Sequence, residues 1–349
     1  MKVGVLLSGG VDSAVALYSL LEAGHEVIAY HIKTVPDEFY LSRQIKHKVC
    51  CSPADTFDAQ LIAKHFNVPF KVLHIEEFFR RNIIDYYLSE YRNGRTPNPC
   101  YLCNRLVKFG LVMDLILKDG ADMVASGHYA RIVDGKLYRA IDREKDQSYF
   151  LASIERERLS RIVFPNGDKT KMQVREIASR VKIHVHSKEE SQDLCFIPDG
   201  DQERFFKEHG IEFDEGPIYD SSGKELGKHK GLIHYTIGQR KLGISLGSRM
   251  YVIRIDAKNN AIIVGKEEEV YRDRFTVTHF NPLVDLPERF TASVKVRKNS
   301  DEVACSVSQK DGVVEVKAEE PIFAVTPGQV AVFYDGDLVL GGGIIEEVL

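Results

Sequence analysis

Residues 8–13 read Ser-Gly-Gly-Val-Asp-Ser, directly after the apolar run Leu6-Leu7 and before a helical pattern. Gly9 and Gly10 let the backbone turn tightly and bring N–H groups close to an anion. Ser13 starts a helix whose N-terminal dipole also favours negative charge, and Ser8 and Ser13 can donate hydroxyls. The anion that suits this loop is a phosphate or pyrophosphate. Asp12 would be repelled by it unless a divalent cation lies between them, which implies Mg²⁺. No Gly-Lys-Ser/Thr sequence occurs, so the loop is not of the Walker type. A plain Gly-Gly turn with an Asx cap is the structural alternative, and the strand–loop–helix context weighs against it.

A second chemistry is written in cysteines. Thr96-Pro97-Asn98-Pro99-Cys100-Tyr101-Leu102-Cys103-Asn104 lies between two helical patterns, and its prolines hold the loop extended. Cys103 is expected at or just before the start of a helix from Asn104, where the dipole favours a reactive thiolate. Cys195 follows in Ser191-Gln192-Asp193-Leu194-Cys195-Phe196-Ile197, where its apolar neighbours suit a core residue equally well. Cys50, Cys51, Cys100, Cys103 and Cys195 fall within the first 200 residues, and Cys305 lies beyond them. This is not a disulfide framework; it suggests chemistry early in the chain and packing for Cys305. Cys50-Cys51 reads more as packing than as a sulfur relay. His128, after Gly127, either orients groups near a phosphate or is a hydrogen-bonded histidine at a strand end.

The elements that must position these residues alternate strand and helix over the first 200 residues. Strands are expected at Val3 to Leu7, Val27 to Ile32, Pro69 to Ile75 and Met123 to Ser126. Helices are expected at Ser13 to Ala23, after Ser52-Pro53, at Phe78 to Tyr91 and at Leu106 to Leu117. The helix after Ser52-Pro53 should bury Ala54, Phe57, Leu61 and Ile62. Alternation of this kind means α/β architecture, a doubly wound parallel sheet that binds ligands at the carboxyl ends of its strands. The loop at 8–12 and Gly127-His128-Tyr129 should then face one crevice.

Beyond about Pro198 the pattern turns to short alternating runs, His234 to Ile237 being the first, with turn signals such as Asn259-Asn260, Asp311-Gly312 and Asp335-Gly336 between later ones. The expected organisation is a catalytic domain over 1–200, a small mixed domain over 201–270 and an antiparallel β-barrel over 271–349.

The formal charge of −4 on 349 residues argues against a uniformly basic nucleic-acid binder but allows local patches, such as Arg43 to Lys48 or Arg240-Lys241. No apolar stretch is long enough to span a membrane. The N-terminal residues read as a first core strand and not a signal peptide, so a cytoplasmic location is expected.

The loop at Ser8 to Ser13 resembles the pyrophosphate loop of the N-type ATP pyrophosphatases, which adenylate a carbonyl-type oxygen. The whole chain resembles the tRNA uridine 2-sulfurtransferase family. The resemblance rests on Ser8 to Ser13, Thr96 to Asn104, Ser126 to Tyr129, Asp142 to Leu151, Ser191 to Ile197 and Tyr235 to Lys241. It implies adenylation of O2 of the wobble uridine in tRNAs for Lys, Glu and Gln, then attack on C2 by a cysteine-borne sulfur and departure of AMP. Cys103 corresponds to the nucleophile and Cys195 to the persulfide-bearing cysteine, with Asp12 in the catalytic loop. Leu6, Leu7, Ser8, Gly9, Gly10, Val11, Asp12, Ser13, Ile32 and Gly127 correspond to the ATP site. Asn98, Pro99 and Cys100 should meet the target base, and Lys145, Asp146, Gln147, Arg297 and Lys298 the tRNA.

Two departures from the family pattern stand out. Lys298 replaces the more usual tyrosine. Cys100 replaces the aspartate of many members, so Cys100, Cys103 and Cys195 could together hold a [4Fe–4S] cluster, set slightly ahead of a persulfide on Cys195. The implied partners are tRNA and a sulfur donor, whether a cysteine desulfurase, a sulfur-relay protein or sulfide. Another pyrophosphatase-loop enzyme acting on a small metabolite, a non-catalytic RNA-binding module built on the barrel and a 4-thiouridine synthetase are the competing readings.

Overall fold

The computed structural model describes residues 1–37, 52–188, 194–243, 249–310 and 312–349. The basic run Arg43 to Lys48, Cys50, Cys51, Asp311 and Ser191-Gln192-Asp193 lie outside the described residues. The chain divides into two compact units, the first made of 1–84, 100–202 and 337–339, the second of 85–99, 203–336 and 340–349.

The first unit is built on a parallel sheet. Strands β1 (Lys2–Leu6), β2 (Glu26–Lys33), β3 (Phe70–His74), β4 (Met123–Ser126) and β7 (Ile162–Val163) are ordered β3-β2-β1-β4-β7. The register sets Val3 beside Val27 on one side and Met123 on the other, and Leu6 beside Tyr30 and Ser126. The order reverses direction at β1 and β4, so a crevice opens at their carboxyl ends, where parallel sheets of this class bind ligands. Helix α1 (Val11–Glu22) turns its buried Ala14, Val15 and Leu17 onto the sheet. Gly4 in β1 is required by packing, since a Cβ there would lie 2.2 Å from Ile116 Cγ2.

Helix α2 (Pro53–His65) begins as Ser52-Pro53 predicts, with a reciprocal box in which Ser52 Oγ accepts from Asp55 N and Asp55 Oδ2 accepts from Ser52 N. Its buried face is Asp55, Ala59, Ile62 and Ala63, and Phe57 is 60% exposed, contrary to the expected face. The Asp55 carboxylate, drawn inward by the cap and by Lys188, sets that rotation. A hairpin absent from the sequence reading, β5 (Ala130–Val133) and β6 (Lys136–Arg139), turns at Asp134-Gly135, both at positive φ.

The second unit carries a small sheet ordered β10-β11-β8-β9 and a barrel. In the small sheet β8 (Gly216–Asp220) pairs antiparallel with β9 (Glu225–His229) and parallel with β11 (Ala261–Gly265), which pairs with β10 (Tyr251–Asp256). Its core holds Ile218, Leu232, Tyr235, Val252, Ile262 and Val264. The strand expected at His234 to Ile237 is absent; a single 3₁₀ turn, Leu232–His234, leads into an irregular segment. The barrel strands are β12 (Tyr271–Pro282), β13 (Arg289–Lys295), β14 (Val303–Lys310), β15 (Val313–Phe323), β16 (Val330–Asp335) and β17 (Leu338–Val348). They are antiparallel neighbours in the order β12-β15-β14-β13-β16-β17, and β12 pairs again with β17 to close the ring. Closure removes the exposed edges an open sheet would present. Cys305 is buried in this barrel, and burial pushes its thiol up to about 12, a packing residue by chemistry as well as place.

Among the described residues, no helix is long and apolar enough to cross a membrane.

Candidate active site

The glycine loop is shaped by its own hydroxyls. Ser13 Oγ accepts from Ser8 N at 3.2 Å and donates to Gly10 O at 3.0 Å, with Ser8 Oγ 3.1 Å away. Gly9 sits at φ +76°, and a Cβ there would lie 2.4 Å from Asp55 O, so only glycine suits the position. Gly127 is required for a different reason. A Cβ on it would come within 2.6 Å of Asp12 C and Ser13 N, because the end of β4 packs directly against the start of α1. Asn166, fully buried, bolts the two together: its Nδ2 donates to Asp12 O at 2.9 Å and Gly127 O at 3.2 Å.

The Asp12 carboxylate is already charge-compensated. Lys171 Nζ donates to Oδ1 at 2.7 Å and Oδ2 at 2.8 Å, and Tyr129 Oη donates to Oδ1 at 2.7 Å. Lys171 opens helix α3 (Lys171–Arg180), whose Thr170/Gln173 capping box fixes where that ammonium stands. A resident divalent cation is therefore not required to tolerate Asp12 beside an anion.

A cavity of about 200 Å³ opens at the crevice. Leu6, Leu7, Ser8, Asp12, Ser13, Ile32 and Gly127 line it, as the sequence expects of the nucleotide site. Gly9 and Gly10 shape the loop without lining the cavity, and Val11 points into the core. His31, Lys108, Ser126 and His128 complete the wall. Gln147, expected among tRNA contacts, lines the cavity too, held by Tyr129, whose N donates to Gln147 Oε1 at 2.9 Å and whose O accepts from Gln147 N at 2.8 Å. Its neighbour Asp146 spends its carboxylate on Ala140 N and Ser148 Oγ, which fixes the loop, while Lys145 is half-exposed.

His128 is half-buried between Phe109 and Phe164, each ring centroid 5.9 Å away. Burial pushes its imidazole well below 6.5, and the ammonium of Lys108 adds to the shift, so the ring is neutral near pH 7. Lys108 Nζ lies 3.4 Å from His128 Nε2 and can only donate, so Nε2 is the acceptor. The proton is then on Nδ1 and donates to Ser126 Oγ at 2.7 Å.

The helix carrying Cys103 begins at Pro99, earlier than expected, and continues from Pro99–Leu102 into the wide-turned segment Cys103–Val112. Pro99 is well placed at a first helical position because it has no N–H to satisfy. The widening ends in a kink at Gly110, where a Cβ would lie 2.6 Å from Arg105 O, five residues back. Cys100 is exposed and Cys103 half-buried. Asn104, 3% exposed, donates from Nδ2 to Cys100 O at 3.1 Å and locks the turn. Cys195 is half-buried in a turn closed by Ile197 N on Leu194 O, and Phe196 anchors it edge-on against Phe79. Among the described residues no three His, Cys, Asp or Glu side chains are gathered into a metal-holding group. Cys100, Cys103 and Cys195 are thus not gathered together in this arrangement.

Asn98 and Pro99 belong to the second unit and Cys100 to the first. Within the second unit the start of this loop is tied to the barrel: Gln329 Nε2 donates to Thr96 O at 2.8 Å, Thr96 N donates to Pro327 O, and Thr96 Oγ1 meets Thr236 Oγ1 at 2.9 Å. Arg297 directs its guanidinium to Ile237 O and Thr326 Oγ1, whereas Lys298 is exposed.

Family models match the chain over residues 1–199 (tRNA methyl transferase HUP domain), 203–266 (tRNA methyl transferase PRC-barrel domain) and 272–345 (aminomethyltransferase beta-barrel domain). The chain is 64% identical over its full length to a tRNA-specific 2-thiouridylase MnmA of Pseudothermotoga lettingae, all of which it covers. It is 59% identical over 345 residues to one of Fervidobacterium nodosum and 49% over 356 to one of Thermotoga maritima, with 99% of each chain covered in both pairs. The chain belongs to the tRNA-specific 2-thiouridylase family.

In this 2-thiouridylase-family site, sequence reasoning missed Lys108, Asn166, Lys171 and Lys188. Lys188 Nζ reaches Asp55 and Asp58, each at 2.7 Å, and Gly9 O at 3.1 Å, so it supports the outer side of the glycine loop. The one local signal for these residues was Pro165-Asn166-Gly167, a turn sequence that places an asparagine but does not reveal its distant partners.

Proposed function

We propose that this chain converts uridine at the wobble position of tRNA to 2-thiouridine, using ATP and acting in the cytoplasm on tRNAs for Lys, Glu and Gln. The observation that carries this reading is the cavity at the β1/β4 crevice, walled by the glycine loop on one side and, through Lys108, by the Cys103 helix on the other.

ATP enters as its magnesium complex. Leu6 to Ser13, Ile32 and Gly127 hold it, the pyrophosphate end lying on the loop amides and the N-terminus of α1. Uridine O2 attacks the α-phosphorus, the bond to the bridging oxygen breaks, and pyrophosphate leaves with that electron pair. A persulfide on Cys195 then forms a bond to C2, and AMP departs carrying the former O2. The Cys103 thiolate takes the Cys195 sulfur, breaking the S–S bond and leaving the outer sulfur on the base. The resulting disulfide is reset by a thiol reductant, after which a cysteine desulfurase or a relay protein delivers sulfane sulfur to the Cys195 thiolate. With sulfide as donor, hydrosulfide instead attacks the Cys195 sulfur of the disulfide, which forms the new persulfide and releases the Cys103 thiolate without a separate reductant.

Asn98, Pro99 and Cys100 meet the base. Lys145 and Lys298 meet tRNA phosphates, and Asp146, Gln147 and Arg297 fix the loops that present them. A [4Fe–4S] cluster on Cys100, Cys103 and Cys195 is the second reading, favoured by the Cys-x-x-Cys spacing alone; anaerobic iron and sulfide quantification separates it from the persulfide route.

Nucleoside mass spectrometry of tRNA incubated with protein, ATP and a sulfur source tests the function. Absence of 2-thiouridine with both persulfide and anaerobic sulfide refutes it.

A further inference from the structure

Lys108 joins two parts of the site. It stands on the wall of the nucleotide cavity and on the same helix as Cys103, five residues later. In an ordinary α-helix residues five apart diverge around the axis, whereas i→i+5 turns bring them back toward one side. Wide turns of this kind are uncommon and often mark functional positions. Here the widening is secured by Gly110, the residue type that tolerates the close approach of Arg105 O. Turns of this width set Cys103 and Lys108 closer around the axis than an α-helix would.

The direction of the nucleotide follows from the fold. The glycine loop and the N-terminus of α1 attract the anionic end, and Ile32 at the end of β2 supplies an apolar wall on the far side of β1. Lys108 and His128 stand on the β4 side, toward the Cys103 helix. Adenylation followed by sulfur attack requires the α-phosphorus to lie between the loop and the sulfur-bearing side. Lys108 lines the cavity from the helix that carries Cys103.

We propose that Lys108 is a catalytic residue that grips a non-bridging oxygen of the ATP α-phosphate during adenylation and AMP release, and that His128 positions it. The Nε2 lone pair of His128 takes one ammonium N–H and restrains where the ammonium stands, and Ser126 fixes the ring tautomer. Lys108 transfers no proton; it stabilises charge that grows as O2 bonds to phosphorus and again as AMP leaves. The proposal rests on the adenylation reading.

The test is tRNA-dependent ATP–pyrophosphate exchange with unmodified tRNA, comparing wild type with Lys108→Ala, Lys108→Gln and Lys108→Arg. Loss of one such donor should lower the exchange kcat on the order of 10²- to 10³-fold in the first two, with Lys108→Arg recovering part. The KM for ATP should move by less than about threefold, the pattern of an interaction strengthened in the transition state. His128→Gln should give a smaller fall, also in kcat. If the wild type shows no tRNA-dependent exchange, the adenylation reading itself fails. If the wild type exchanges and Lys108→Ala matches it within about threefold, only the role of Lys108 is overturned. Should the neutral variants not fold, Lys108→Arg and the two diastereomers of ATPαS decide. A change in diastereomer preference of more than about threefold supports contact with the α-phosphate, and an unchanged preference overturns it.

Discussion

The Lys171 ammonium sits on both carboxylate oxygens of Asp12, at 2.7 and 2.8 Å, although the two residues are 159 positions apart. This pair, with Tyr129 Oη on Oδ1, lets an acidic side chain stand at the mouth of an anion-binding loop. Hydrogen bonds to charged groups are worth about 1.5–3 kcal/mol. Lys171→Met should therefore raise the KM for ATP roughly tenfold to a hundredfold, with Lys171→Arg intermediate. Steady-state kinetics against ATP at saturating tRNA checks this. An unchanged KM in Lys171→Met would mean that the pair serves only to hold α3.

Asn166 joins the first turn of α1 to the end of β4 through two main-chain carbonyls. Asn166→Ala leaves both without that donor in a buried place and should cost about 1–3 kcal/mol of stability. Gly127→Ala forces a methyl into a 2.6 Å approach to the backbone and should cost a similar amount by overpacking, about 1–3 kcal/mol. Urea unfolding of both variants, with ATP affinity measured alongside, tests whether β4 and the glycine loop behave as one piece.

The difference between what the residues announce and what they conceal is clearest around this loop. Ser8 to Ser13 and Gly127 were legible because strand, glycine and helix-start signals are local, and a parallel sheet places such loops at one crevice. Most barrel strands were legible from alternation. Lys171 was not, because its capping box predicts a helix start and says nothing about a carboxylate in another element. Phe57 misled for a related reason: the apolar periodicity of α2 was outweighed by Asp55, whose long-range partner Lys188 turns that face inward. The early helix start at Pro99 was hidden because the two prolines argue for an extended loop, yet Pro99 fits a first helical turn.

His128 makes stability depend on pH in one direction. Its folded-state pKa lies well below 6.5, first by burial and then by Lys108, so the unfolded chain takes up this proton before the folded one does. Stability should fall as pH drops below about 6.5, by at most about 1.4 kcal/mol per pH unit and by less for a half-buried ring. His128→Gln should flatten this limb between pH 6.5 and the lower folded value. Chemical unfolding at several pH values reads the difference, and parallel wild-type and variant curves would contradict it.

Lys188 and Asp58 set a wider window. Burial raises the Asp58 carboxyl, but hydrogen bonds from Lys188 and His184 outweigh it and hold the group below 3.8. Burial lowers the Lys188 ammonium, but Asp55 and Asp58 outweigh it and hold it above 10.5. The Asp58 contribution is present above 3.8 and lost as pH falls through the lower folded value; the Lys188 contribution is present below 10.5 and lost as pH rises through the higher one. Lys188→Met should cost about 1.5–3 kcal/mol across that plateau. The gap from wild type should close toward acid pH. A gap that stayed constant to pH 2 would show that the lysine stem, and not its charge, carries the effect.

Gln329 bears on the loop proposed to face the base. Its Nε2 donates to Thr96 O at 2.8 Å and more weakly to Pro97 O at 3.4 Å, while the Thr96 hydroxyl meets Thr236. These bonds lie within the second unit and fix the chain just before Asn98 and Pro99. Gln329→Ala removes one neutral donor, a change worth about 1 kcal/mol, and frees the loop to sample other positions. The expected result is a rise in the KM for tRNA of roughly fivefold, with thermal unfolding little changed and the KM for ATP unaltered. Gln329→Glu keeps the size of the side chain but sets an acceptor against two carbonyls, and should be worse than alanine. If both variants bind and thiolate tRNA like the wild type, Thr96 is not a fixed point on which the loop proposed to face the base depends.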